Sequence, residues 1–207
     1  MKCLIRMRKY KNKVEFDEKL EILVKERTKE LMLANTKLIE ENKILKQMST
    51  TDDLTGLYNR FYIKQTFEYE KRQANRYETE LSIVIMDVDD FKAVNDIYGH
   101  NEGDFFLKTI SKELKKVFRD TDVVGRWGGE EFIILHPKTT IDDAYVITER
   151  LRKQIENKLF QLIGSKTASF GITKLQEYDT LDIAIARADK ALYYAKKNGR
   201  NQVRIAK

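Results

Sequence analysis

The chain has 207 residues, 42% of them hydrophobic, enough for one sizeable core but short for two full domains. One cysteine, Cys3, excludes an intrachain disulfide and fits a reducing compartment. No apolar run approaches the roughly 20 residues of a membrane-spanning helix, so a cytoplasmic protein is expected. The net charge of +6 is local. Six of the 39 Lys and Arg residues (Lys2, Arg6, Arg8, Lys9, Lys11, Lys13) lie within residues 1–13, which hold no acid, and the rest of the chain balances its 33 Asp and Glu. A broad nucleic-acid surface is therefore not expected. The basic segment is either an ordinary solvated tail or the juxtamembrane stub of an upstream sensor or membrane segment.

Residues 14–48 lack Gly and Pro and are dense in Glu, Lys and Leu, which predicts one long helix of roughly 50 Å. Val24, Leu31, Leu38 and Leu45 recur every seven residues, with Thr28, Asn35 and Asn42 at the paired seam positions. A half-polar seam of this kind suits a parallel dimeric coiled coil that sets register while adding little stability. The other reading is an amphipathic helix packed on its own domain. Residues 49–52, Ser-Thr-Thr-Asp, break the pattern and mark a domain boundary, so 49–207 form the second unit.

A helix is expected over 59–77, then a buried strand over 81–87, a continuous apolar run that ends in an acid. Helices over 89–98 and 101–118 flank Gly99-His100. Strands over 122–126 and 132–136 flank Gly128-Gly129, a dipeptide suited to a tight hairpin, and Pro137 closes the second. A helix over 141–159, a strand over 166–174, a helix over 181–198 and a strand over 202–206 complete the chain. Such alternation predicts an α/β domain with helices packed against a central sheet.

Asp87 and Asp89 fall at the C-terminal end of the buried strand, and Glu130 and Glu131 follow the glycines of the hairpin. If the two strands are neighbours, Asp87 and Glu130 converge at one end of the sheet. Carboxylates about 4 Å apart repel by roughly 4 kcal/mol at an effective dielectric of 20, which a bound cation or a proton would relieve. Oxygen donors alone suit Mg²⁺. On spacing alone, the two glutamates could equally be turn acids facing water.

The run of residues 126–132, Arg-Trp-Gly-Gly-Glu-Glu-Phe, resembles the signature of the GGDEF family of bacterial diguanylate cyclases in its Glu-containing form. Four more segments resemble that family in order: 52–60 (Asp-Asp-Leu-Thr-Gly-Leu-Tyr-Asn-Arg), 87–104, 167–171 (Thr-Ala-Ser-Phe-Gly) and 188–201. The resemblance covers residues 50–206 and implies a mainly antiparallel sheet of the nucleotidyl-cyclase kind. It implies condensation of two GTP into cyclic di-GMP across a homodimer, with two Mg²⁺ per site and Mn²⁺ as a substitute. Asp87, the Val88 carbonyl, Glu130 and Glu131 would hold the metal. Glu130, Glu131 and Lys92 would carry catalysis. Asn95 and Asp104 would read guanine, while Phe91, Lys92, Lys196 and Arg200 would flank the phosphates beside Gly128 and Gly129. Arg119 and Asp122 form an Arg-x-x-Asp string five residues before Gly128, where the family has an inhibitory product site, with Arg150 as a second arginine. The alternative is a non-catalytic receptor for GTP or cyclic di-GMP.

Overall fold

The computed structural model describes residues 2–48 and 50–206, with side chains of the first helix described at 19–42, 44 and 45. It divides into two units, Met1–Met48 and Ser49–Lys207. The first is a single helix, α1 (Lys2–Met48), so helix begins twelve residues before the expected start. Nothing in the basic segment breaks a helix; what its side chains touch lies outside the described residues. Val24, Leu31, Leu38 and Leu45 are each 56% to 69% exposed. Thr28 and Asn42 donate to the carbonyls of Val24 and Leu38, one turn back at the neighbouring seam positions. No helix among the described residues is long and apolar enough to cross a membrane.

The second unit begins with α2 (Arg60–Tyr77), whose first turn is closed by Asn59 accepting from the Tyr62 N–H at 2.9 Å. Next come β1 (Leu81–Val88), α3 (Phe91–Tyr98) and α4 (His100–Val117). Gly99, at φ 84°, ends α3 and starts α4, a conformation that keeps the two from merging. The hairpin β2 (Val123–Gly128) and β3 (Glu131–Pro137) is followed by α5 (Ile141–Glu156), with Thr140 as its cap. Two short strands, β4 (Leu159–Phe160) and β5 (Gly164–Ser165), pair with each other before β6 (Ala168–Lys174), α6 (Leu181–Lys197) and β7 (Val203–Ile205).

The main sheet has the order β2-β3-β1-β6-β7, antiparallel except for the β6–β7 pair, which α6 connects. Every residue of β1 is buried, polar Ser82 and Asp87 included, as a mainly apolar central strand covered on both faces requires. Val84, Met86 and Val88 join Phe132, Ile134, Phe170 and Ile172 in a core with α3, α4 and α5. Ile83 and Ile85 join Ile133 and Leu135 on the other face, beneath α2 and α6. Gly171 marks where α6 crosses β6: a Cβ there would lie 2.0 Å from the Ala188 carbonyl oxygen.

Two local expectations are corrected. Helix α5 stops at Glu156 because Phe160 and Ile163 turn into the core, with Phe160 4.5 Å from Phe106 between ring centroids. The hairpin turn is Gly129-Glu130 rather than Gly128-Gly129. Gly128 belongs to β2, opposite Glu131, past a bulge between Arg126 and Gly128, and Gly129 supplies the positive φ of 52°.

Candidate active site

Strand β3 lies beside β1, and in their antiparallel register Asp87 pairs with Glu131. Residues paired in this way project to the same face, so both carboxylates point to the α2 and α6 side at the end of the sheet. Glu130 sits in the turn itself, its carbonyl accepting from the Val88 N–H at 3.4 Å. The shift of the turn by one residue is what separates the two glutamates: Glu130 at the tip, Glu131 in the strand.

Asp87 is 6% exposed and pairs with Lys196 of α6, Nζ to Oδ2 at 2.7 Å. Burial pushes its carboxyl up to about 6; Lys196 opposes the rise, while Glu130 and Glu131 add to it. Glu131 is also raised, first by burial and then by Asp189 and Glu130, against the pull of Lys196 and Arg60. These acids are close enough to perturb one another. Yet among the described residues no group of three or more His, Cys, Asp or Glu closes into a ready-made metal cage. The donor set still fits a hard cation. It offers oxygen only, its acids are held in mutual repulsion, and too few protein ligands leaves positions for water and phosphate.

Asp89 behaves differently. It is 4% exposed, and its carboxylate accepts from Thr167 and Ser169 hydroxyls, both at 2.7 Å, and from the Asn201 N–H at 3.0 Å. It is occupied in tying β1 to β6 and to the segment after α6, and does not face a ligand.

The predicted substrate residues divide. Lys92 is exposed in the first turn of α3, but the Phe91 ring is buried in the core, 6.1 Å from Phe106 between centroids. What Phe91 offers a ligand is its place at a helix N-terminus, where backbone N–H groups lack partners within the helix. Any contact of Phe91 with phosphate would fall to its backbone, since its ring is buried. Asn95 lies against α4, where Gly103 makes room: a Cβ at 103 would come 2.0 Å from Asn95 Oδ1. Asp104, the next residue, is exposed. Arg200 follows α6, its Nε 3.3 Å from Asp90 Oδ1.

Arg126 fastens the hairpin from behind. Its Nε donates to the Gly129 carbonyl at 2.9 Å and its NH1 reaches Asp52 at 3.2 Å. Asp52 also accepts from the Thr55 N–H and hydroxyl; burial alone would raise its carboxyl, but Thr55 and Arg126 hold it below the usual range. Arg60 stacks over Trp127 at 4.2 Å. Asp52, Arg60, Arg126 and Asp189 lie within the family-like segments 52–60, 126–132 and 188–201, and no role was expected of them from spacing.

The Arg119–Asp122 turn stands apart from these groups. The Arg119 N–H donates to Asp122 Oδ2 and the Asp122 N–H to the Arg119 carbonyl, both at 2.9 Å. Asp122 Oδ1 lies 3.0 Å from Nδ1 of His136, which is fully buried, though the contact lacks hydrogen-bonding angles. Burial alone would raise Asp122; His136 and Arg119 bring it below the usual range. The Arg119 side chain is exposed, and Arg150 NH2 reaches the Val117 carbonyl at 3.4 Å. Arg119 and Asp122 line a groove of about 480 Å³. A larger cavity, about 1060 Å³, lies against α6 and β7 and includes none of the predicted site residues.

An α/β domain that gathers acids and cations at one end of a mainly antiparallel sheet is equipped to handle a metal-bound phosphate ester. Comparison supplies the family. Residues 49–202 match the diguanylate cyclase GGDEF domain, and the chain belongs to that family. It is 39% identical over 164 residues to the diguanylate cyclase DgcP of Pseudomonas aeruginosa, which covers 78% of this chain and 24% of that protein. It is 36% identical over 173 residues to diguanylate cyclase A of Treponema denticola, covering 80% and 47%. The chain thus spans less than half the length of these curated relatives. Among solved structures, diguanylate cyclase SiaD from Pseudomonas aeruginosa, in complex with its activator SiaC, matches with TM-score 0.73 and 32% identity, covering 99% of this chain and 80% of that one. The active GGEEF domain of a diguanylate cyclase from Vibrio cholerae matches with TM-score 0.69 and 33% identity, covering 72% and 97%.

Proposed function

We propose that this chain condenses two GTP molecules into cyclic di-GMP and two pyrophosphates, with catalysis across a homodimer in the cytoplasm. The observation that carries this is the β1–β3 register, which sets Asp87 opposite Glu131 with Glu130 at the turn and Lys196 2.7 Å from Asp87. Asp87, the Val88 carbonyl, Glu130 and Glu131 would hold Mg²⁺, or Mn²⁺ in its place. When bound, the two ions would neutralise charge on the triphosphate and polarise the α-phosphate. Lys92, Lys196, Arg200 and the backbone at Phe91, Gly128 and Gly129 bind the phosphates. Asn95 and Asp104 recognise guanine, the carboxylate accepting from its ring and amino N–H groups. A buried partner left unpaired by another base is the source of selectivity.

Glu130 takes the proton from the ribose 3′-hydroxyl. The oxygen then bonds to the α-phosphorus of the facing nucleotide, and the bond from that phosphorus to pyrophosphate breaks. The same event in the opposite sense closes the ring. One chain holds one GTP, so the second must be presented by a second chain, and α1 with its exposed seam is the element suited to bring two together. Product would be held at Arg119, Asp122 and Arg150. Since Asp122 Oδ2 already accepts from the Arg119 N–H and Oδ1 lies against buried His136, the Arg119 guanidinium is the group that would meet guanine O6 and N7.

The test is product analysis. The dimeric protein incubated with GTP and Mg²⁺ should release cyclic di-GMP and pyrophosphate in a ratio of one to two. A dimeric sample that yields neither would overturn the proposal.

A further inference from the structure

Gly199, Arg200 and Asn201 adopt positive φ in succession, at 104°, 61° and 47°. Glycine is at home there and asparagine tolerates it, but arginine does not, so the conformation persists only where the surroundings over-determine it. Here they do. On one side the Arg200 N–H donates to the Ala195 carbonyl at 3.0 Å, and on the other the Asn201 N–H donates to the buried Asp89 carboxylate. The Asn201 side chain then reaches the opposite way, to α5. Its Nδ2 donates to Glu156 Oε1 at 2.8 Å and its Oδ1 accepts from Arg152 NH1 at 2.7 Å. Arg152 is itself pinned by Glu149 and Glu156, at 2.7 and 2.9 Å. Arg200, held between these anchors, turns its guanidinium toward Asp90 at the start of α3.

We propose that Asn201, clamped by Arg152 and Glu156 of α5 and by Asp89, is a positioning residue that fixes Arg200 for the substrate triphosphate. This rests on the reading of the site as a GTP site. Arg200 carries a long, half-exposed side chain, and the left-handed backbone narrows the directions it can take. Releasing the clamp leaves the charge in place but lets it wander, so the loss falls on nucleotide affinity.

Asn201→Gly is the cleanest variant, because glycine keeps the backbone conformation accessible and only the side-chain bonds go. Arg152→Met cuts the same clamp from α5 without touching the loop. In the full chain, calorimetric titration with a non-hydrolysable GTP analogue and Mg²⁺ should show affinity falling about tenfold in each variant, the scale of one charge-assisted hydrogen bond. The KM for GTP should rise correspondingly with kcat little changed. In an Arg200→Ala background either substitution should add nothing. Unchanged affinity in both variants, or losses that add fully to that of Arg200→Ala, would overturn the positioning role. A wild-type protein that fails to bind the analogue would overturn the GTP site itself.

Discussion

Asp87 combines two demands that oppose each other: burial at the end of a central strand, and a negative charge beside two glutamates. Its folded-state value of about 6 stands above the ordinary 3.8. The folded protein therefore holds this proton more tightly than the unfolded chain does. The stabilising contribution is fully present below about pH 4 and is lost as pH rises through about 6. In metal-free buffer, urea midpoints should fall between pH 4 and pH 7, and Asp87→Asn should flatten that segment of the profile. An unchanged slope in the variant would place the titration elsewhere. Under the proposed role of Glu130 as acceptor of the ribose proton, Glu130→Gln should lower turnover by roughly a hundredfold to ten-thousandfold. Steady-state pyrophosphate release would measure it, and a near-normal rate would assign the proton to another group.

Among the elements, the sheet and its helices were legible in the sequence because the signals were local. A largely apolar run made β1, and a glycine pair announced the hairpin. The exact turn was not legible: choosing Gly129-Glu130 over Gly128-Gly129 depends on the β2–β3 register, which Arg126 secures through Gly129 and Asp52. The work of Asp89 was hidden for the same reason, since its partners are 78, 80 and 112 positions away. Burial of the Phe91 ring was hidden as well, since Asp90 and Lys92 on either side of it are exposed while that ring fills the core. One element-scale prediction concerns the crossing of α6 over β6. Gly171→Ala forces Cβ against the Ala188 backbone. It should cost about 1–3 kcal/mol, the usual penalty of overpacking, read as a lower denaturation midpoint. Wild-type stability in this variant would mean that α6 is free to shift outward.

For the whole molecule, the exposed seam of α1 and the proposed one-nucleotide site would both be answered by a second chain. Deleting residues 1–48 should leave the Ser49–Lys207 unit folded, since the buried clusters described for that unit are built from its own side chains. Turnover at low protein concentration should collapse and recover steeply as concentration rises. Leu31→Asp with Leu38→Asp should weaken dimerisation in the intact chain, as sedimentation would report. Full activity of the truncated unit at nanomolar concentration would remove α1 from the mechanism.

The central position of β1 also has a consequence in time. Its partners, β3 and β6, lie about 50 and 90 residues further along the chain. During synthesis, α1 is complete and able to find a neighbouring copy well before β1 can be enclosed on either side. Long-range pairings of this kind close slowly. With α1 pairing chains as proposed, two nascent chains would be tethered by their helices while both sheets are still open. The apolar run of β1 would then be briefly unpaired in the nearest neighbour as well, so a helix that pairs chains as proposed would also raise the local concentration of unfinished sheets.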